Sequence, residues 1–294
     1  MILFFNNTEF DMFQLISDCH LELVKDKAIL LPRIEPRAPW LVLAGDIGNP
    51  YKKNYSMFLE TCSKGWDHVF AVAGNHEYYS HSARRLMSEI DEKIRSVCSQ
   101  FPNVTFLQKD VFYLKDPGDP NKQIAVVGAT LWTKMEPETQ PLIRQIMNDY
   151  RTIFNDRSGT KSYNISPAGI DNLHRDYASW LYDTVKAAEE NPLISHIVIV
   201  THHPGSFEIL DPQYGGEENV INHAYATNYN RLIESWTKVK LWFSGHTHIT
   251  KTCMVGQTRL ISNCLGYPDK RGSNDGRYDW TALYNIESLR SSIL

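Results

Sequence analysis

The stretch FQLISDCH, residues 13–20, decides how the chain is read. FQLIS is a nearly continuous apolar run, and such runs suit strands buried on both faces. It ends in Asp18, Cys19 and His20, three residue types that all bind metals. In open α/β sheets, ligands gather in the loops just past the carboxyl ends of strands. Side chains two apart in an extended chain share a face, so Asp18 and His20 point together and Cys19 points away from them. Cys19 is expected to be a small buried hydrophobe between two ligands; a reactive thiol would need exposure or a positive neighbour.

The same arrangement recurs along the chain. WLVLA (40–44) runs into GDIGN, HVFAVA (68–73) into GNHE, SHIVIVT (195–201) into HHP, and KLWFSG (240–245) into HTH. His246 and His248 repeat the two-residue spacing of Asp18 and His20. One GHTH is weak, since it would arise by chance in roughly a few chains in a hundred, but five Asp, Asn and His clusters each placed at a strand end are a strong signal. Carboxylate oxygen, imidazole nitrogen and one amide oxygen together suit Mn, Fe, Co, Ni or Zn better than Mg or Ca.

Between these runs the pattern turns helical at YSMFLETCSKG (55–65) and SARRLMSEIDEKIRSVCSQ (82–100), the latter with a serine at its start. A long helix is expected over 166–190, with Ser166 as N-cap, Pro167 at the first position and Leu173, Tyr177, Trp180, Leu181 and Val185 on one face. VTFLQ, VFYLK and QIAVVGATLW read as further strands, with DPGDPNK (116–122) as a hairpin turn. NRLIESW, KLWFSG, KTCMV, TRLIS and TALYNI complete the chain as one helix and four strands. Residues 133–165 are expected to be irregular apart from a short helix near 138–147, and residues 203–229 form a long loop suited to a lid. Alternating strands and helices with a strand-rich end predict an α/β fold with mixed sheets.

Composition narrows the class. The 294 residues are 42% hydrophobic and 22% charged, with a net charge of -4. That charge argues against a general nucleic-acid binder and leaves room for a local basic pocket. No apolar run reaches the roughly 18 residues of a membrane span, and the first residues lack the basic start of a signal peptide. Five scattered cysteines without a CxxC pair point to free thiols in a reducing compartment, hence a cytoplasmic location. Met12 reads as the start of the first core strand, so residues 1–11 are expected to be an N-terminal extension and 12–294 a single domain.

The order DxH, GD, GNHE, a mid-chain His and GHxH resembles the calcineurin-like metallophosphoesterase superfamily over roughly residues 12–266. The resemblance implies a four-layer α/β/β/α sandwich of two mixed sheets and two divalent transition-metal ions, with manganese favoured. By that pattern Asp18, His20, Asp46 and His248 bind the first ion, and Asp46, Asn75, His202 and His246 the second. His76 matches the catalytic histidine, and Glu77 is expected to bond backbone. The implied reaction is in-line attack on phosphorus by a hydroxide shared between the ions, with His76 as general acid and no phospho-enzyme.

Departures from sister patterns narrow the choice. Asn49 stands where the purple acid phosphatases need a tyrosine, and GDIGNPY lacks the arginine of the Ser/Thr protein phosphatases. GATLW (128–132), NDYR (148–151), HAYATN (223–228) and NCLGYP (263–268) resemble features of small, broadly annotated members whose substrates are seldom defined by sequence, and a phosphodiester and a small phosphorylated or nucleotide-like substrate are favoured. His203, Tyr78, Tyr79, Arg151 and Tyr267 are the candidate substrate-binding residues. The alternatives are a phosphomonoesterase or nucleotide pyrophosphatase, a single-strand nuclease, and a non-catalytic scaffold, which should have lost ligands that are all present here.

Overall fold

The computed structural model of the protein describes residues 12–24, 34–80, 83–158, 161–268 and 277–286. In chain order its strands are β1 (Met12–Ile16), β2 (Trp40–Ala44), β3 (His68–Val72), β4 (Val104–Phe106), β5 (Asp110–Lys115), β6 (Gln123–Ala129), β7 (Phe154–Ser158), β8 (Lys161–Asn164), β9 (Ile194–Thr201), β10 (Val239–Ser244), β11 (Lys251–Val255), β12 (Thr258–Ser262) and β13 (Tyr284–Asn285). The helices are α1 (Lys53–Gly65), α2 (Met87–Cys98), α3 (Gln140–Ile146), α4 (Asp149–Thr152), α5 (Pro167–Glu190) and α6 (Asn230–Ser235).

Two large mixed sheets result. One has the order β13-β1-β2-β3-β4 and the other β11-β12-β10-β9-β6-β5. Each is parallel inside and closed by antiparallel neighbours: β13 in the first sheet, β11 and β5 in the second. The strands are apolar on both faces because both faces are covered. Phe13, Trp40, Val42 and Phe70 of the first sheet share one core with Val126, Val198, Leu241 and Phe243 of the second. The alternate residues, such as Leu41, Leu43, Val127 and Ile199, belong to the core shared with the helices. Helices α1 and α2 touch β3 and β4, while α5 lies on β6 and β9, giving four layers. Fully burying each such side chain contributes roughly 1.5–3 kcal/mol.

Several local expectations are met for the reasons given. Ser166 Oγ accepts the Gly169 N–H at 3.1 Å and caps α5. Asp116 accepts the Gly118 N–H at 2.8 Å inside the turn that joins β5 to β6. Others need correction. Helix α2 begins at Met87, not near Ser82, and its first turn is closed by the Glu89 carboxylate on the Leu86 N–H at 2.7 Å. The supposedly irregular 133–165 segment contains the β7–β8 hairpin and α4. Its strands carry no apolar alternation, so periodicity misses them. The 203–229 loop is built from short 3₁₀ turns at Phe207–Ile209, Pro212–Tyr214 and Val220–Ala224. The proposed extension, residues 1–11, lies outside the described residues. Among the described residues no helix is long and apolar enough to cross a membrane.

Candidate metal centre

The clusters leave the carboxyl ends of β1, β2, β3, β9 and β10 along one edge of the paired sheets. Their backbone is not extended. Asp18, His20, Asp46, His246 and His248 have φ of 55°, 47°, 52°, 68° and 55°. This left-handed region is tolerated best by Asn, Asp and His, and such strain of order 1–3 kcal/mol per residue persists only where surroundings enforce it. Here they do: Asp18 N–H donates to Gly45 O at 3.0 Å, His20 N–H to Asp46 O at 2.9 Å and Leu21 N–H to Ile47 O at 3.0 Å. The extended-chain argument for the two-residue spacing is thus corrected. Left-handed residues alternate with Cys19 and Thr247 in ordinary φ, and this sends each pair to one side. Cys19 itself is 2% exposed in the core with Leu21 and Cys62, and burial pushes its thiol well up.

Glycines let these loops close. Gly45 sits at φ 86°, and a Cβ on Gly74 would fall 2.1 Å from Asp46 Oδ1. Glu77 locks the same corner, its carboxylate accepting the N–H groups of Asp46 (2.9 Å), Ile47 (2.7 Å), Gly48 (3.1 Å) and Gly74 (2.6 Å). Burial and the Asp46 charge push it up to about 7, against donors that favour the anion. Glu77→Ala would strand four buried donors and is expected to lower stability by roughly 3 kcal/mol or more, measured by denaturant unfolding.

The ligand atoms converge in overlapping groups. Asp18, His20 and His248 form one and Asp46, His202 and His246 another, each with its ligand atoms within 4.8 Å of one another. Asp46 faces both: Oδ1 lies 3.5 Å from His202 Nε2 and Oδ2 3.9 Å from His20 Nε2. Asn75 Oδ1 is 3.1 Å from His202 Nε2, and Asp18 Oδ1 is 3.4 Å from His248 Nε2.

Outer hydrogen bonds set which nitrogen faces inward. His202 Nδ1–H donates to Ala44 O at 2.8 Å and His246 Nε2–H to Ala224 O at 3.2 Å, leaving Nε2 and Nδ1 respectively as the nitrogens that face inward, each a lone pair when its ring is neutral. His20 Nδ1–H goes to Glu22 Oε1 at 3.2 Å. Its Nε2 then stands 2.9 Å from His248 Nε2, where only a proton or a cation can lie between two such nitrogens. The donor set and these converging lone pairs fit divalent transition metals.

Without a cation the charges of the cluster compensate one another. Burial alone would raise the pKa of Asp46, yet His202 and His76 hold it well below the carboxylate range. Burial opposes charge on His202, but Asp46 brings it up to about 9. Burial and the charge of His202 push His246 down to about 3.

His76 is placed by three contacts. Its N–H donates to Asp46 Oδ1 at 2.8 Å, its Nδ1–H to Glu22 Oε1 at 2.9 Å, and its ring stacks on Tyr79 with centroids 4.1 Å apart. Side chains three apart eclipse in a 3₁₀ turn, and His76–Tyr78 is one, so Tyr79 returns over His76. The same geometry sends Tyr78 the other way. It is fully buried, its hydroxyl donating to Asp91 Oδ1 at 2.7 Å, so the expectation that it binds substrate is corrected. His203 is corrected too. Adjacent residues diverge, and while His202 turns to Asp46, His203 is 2% exposed behind His246 and donates from Nδ1 to Thr130 O at 3.2 Å.

Tyr79, Arg151 and Tyr267 line open space. Tyr267 lies over His20 at 4.3 Å, with its hydroxyl 3.5 Å from His76 Nε2. Two site residues escaped the sequence reading. Glu22 joins His20 to His76, and those histidines outweigh burial to bring its pKa down to about 2. Asp149 accepts from Asn75 Nδ2 at 2.9 Å and from Tyr79 OH at 2.7 Å, turning the amide oxygen of Asn75 toward His202. A carboxylate one turn past DxH and the acid inside NDYR were the available signals.

Cavities flank the centre. The cleft over Asp46, His246 and His248, about 200 Å3, shares His76, Tyr79, Asn148 and Tyr267 with a wide cavity of about 740 Å3. On another side it shares Tyr225 and Thr247 with a pocket of about 300 Å3 under the 203–229 loop.

Comparison with known proteins agrees with this geometry. The family model for calcineurin-like phosphoesterases matches residues 13–250. Uncharacterized protein L509 of Acanthamoeba polyphaga mimivirus is 26% identical over 242 residues, 80% of this chain and 80% of that one. The crystal structure of phosphopantetheinyl hydrolase (PptH) from Mycobacterium tuberculosis superposes with a TM-score of 0.69 at 16% identity, over 95% of this chain and 97% of that one, a likeness of fold. With the family model spanning most of the chain and the ligand clusters assembled at one sheet edge, the protein belongs to the calcineurin-like phosphoesterases and is a metal-dependent phosphohydrolase.

Proposed function

We propose that the protein hydrolyses a phosphodiester at a two-cation centre, with one ion on Asp18, His20, Asp46 and His248 and the other on Asp46, Asn75, His202 and His246. The observation that carries the diester reading is the pair of cavities opening from opposite groups of residues on the central cleft. A diester has a substituent to seat in each, whereas a monoester would use one. When bound, the cations, manganese favoured, lower the pKa of a water and neutralise charge on the phosphoryl oxygens.

The chain's own residues supply the rest. Glu22 accepts a hydrogen bond from His76 Nδ1–H and holds that proton in place, so the proton His76 can give sits on Nε2, on the side of Tyr267. That makes His76 the group to protonate the leaving oxygen. Asp149 and Tyr79 hold Asn75 and the His76 ring in place. Glu22→Gln weakens the hold on both His20 and His76 and is expected to lower metal affinity or kcat by about 10–100-fold. Metal analysis and steady-state kinetics read the two effects separately.

The test is a panel on manganese-loaded protein: an aryl phosphodiester, an aryl monoester, cyclic nucleotides, nucleotide pyrophosphates, a phosphopantetheinyl diester and short single-stranded oligonucleotides. Preference for a small diester is expected. Monoester preference, or cleavage confined to oligonucleotides, would replace the reading by the corresponding alternative. Five free cysteines, four of them buried, support a reducing, cytoplasmic setting.

A further inference from the structure

The two cavities beside the centre differ in charge. The wide one, about 740 Å3, is lined by Lys52 and Arg151, while the pocket of about 300 Å3 on the other side is lined by Leu210, Tyr214, Ile221, Tyr225 and uncharged neighbours only. The chain has more acidic than basic residues, 34 against 30, so the pairing of two cations here does not reflect a basic surface. Both side chains are anchored and still have donors to spare. Among the described residues Lys52 Nζ donates once, to Glu22 O at 2.6 Å, and an ammonium has three donors. Arg151 donates to Gln145 O at 2.7 Å and Asn148 Oδ1 at 3.2 Å, two of five. Glu22, the acid among the cavity residues, has its Oε1 committed to His20 and His76.

His76 lies on this same cavity, so a leaving group protonated from its Nε2 departs into the wide side. We infer, resting on the phosphodiester reading above, that the natural leaving group carries an anionic group of its own, a phosphate or diphosphate, bound between Lys52 and Arg151. The non-leaving substituent, uncharged and largely apolar, fills the pocket under the 203–229 loop. A volume of about 740 Å3 falls within the ~300–1,000 Å3 typical of small-molecule sites.

The experiment uses manganese-loaded, full-length protein and two probes, adenosine 3′,5′-bisphosphate and adenosine 3′-monophosphate. Each is titrated by calorimetry and as a competitor of bis(4-nitrophenyl) phosphate hydrolysis. One phosphate of either probe takes the cations; only the bisphosphate has a second for Lys52 and Arg151. The bisphosphate is expected to bind about tenfold tighter or better, the scale of one or two charge-assisted contacts. In K52A/R151A the ratio of the two affinities should fall toward one, while Lys122→Ala, in the β5–β6 turn, should keep the wild-type ratio. Equal affinities in the wild type, or a ratio that survives in the double variant, overturns the inference. Absence of aryl diester hydrolysis would count against the phosphodiester reading alone, because the calorimetric ratio tests the cation pair without turnover.

Discussion

Asp46→Asn is expected to leave the protein with at most one bound cation per chain and to cut phosphodiester hydrolysis by more than about 10³-fold. The substitution is nearly isosteric, so the effect isolates charge and donor geometry. One carboxylate oxygen faces His202 and accepts from the His76 N–H, and the other faces His20. An asparagine has one neutral oxygen and an NH2 that would be aimed at an imidazole nitrogen. Metal content by elemental analysis, together with kinetics on an aryl diester, checks both halves. Two retained cations with full activity would end the bridging role.

The same variant has a stability signature without metal. Burial alone would raise the Asp46 pKa, but His202 and His76 hold it well below its unfolded value. A depressed carboxylate stabilises the fold above its unfolded pKa, and that contribution is lost as pH falls through the folded value. The metal-free variant should therefore be less stable than wild type at neutral pH, with the gap closing in acid below about pH 4.

His76→Ala is expected to lower kcat by about 10²–10⁴-fold while both cations stay bound. The side-chain nitrogen of His76 lies within 4.8 Å of ligand atoms of His20 and Asp46, so metal retention is the decisive control. Loss of a cation would make His76 a ligand instead of an acid. A general acid matters most when the leaving group is poor. The loss should be severe for an alkyl alcohol and small for 4-nitrophenolate, a contrast that a positioning defect alone does not produce. In the metal-free protein burial opposes the charge on His76, but Asp46, Glu22 and Asp149 carry it up to about 9. Cations placed on Asp46 would cancel the largest of those attractions, so the histidine resonance should titrate nearer its ordinary value after loading.

Much of this site was legible because its ligands are local to strand ends. A run such as WLVLA declares a strand by composition, and a Gly-Asp just past it declares a loop at the sheet edge. The seven proposed ligand positions and His76 come from five such junctions. Tyr78 and His203 were misassigned for one reason: neighbours of a ligand look equivalent in a string of letters, and which way each side chain turns depends on the turn type. The 3₁₀ geometry after Asn75 puts Tyr79 on His76 and Tyr78 in the core. The β7–β8 hairpin and α4 were missed because their residues are polar, leaving no period to detect.

The sequence by itself determined the α/β class with mixed sheets and the strand-end clusters of Asp, Asn and His on which the family resemblance and the proposed ligand set rest, since each is encoded in short segments with their own apolar period or donor spacing. Tertiary structure alone decided that Glu22 ties His20 to His76 across 54 residues, that Asp149 turns Asn75 from 74 residues away, and that Lys52 and Arg151 share one cavity. Those pairings rest on through-space reach of a few ångströms between segments far apart in the chain. No local pattern records such distances. The opening stretch shows both: Asp18 and His20 were readable as partners, but the left-handed turns that bring them together, with Cys19 sunk in the core, exist only where β1 packs beside β2 and its loop is laced to Gly45 and Asp46.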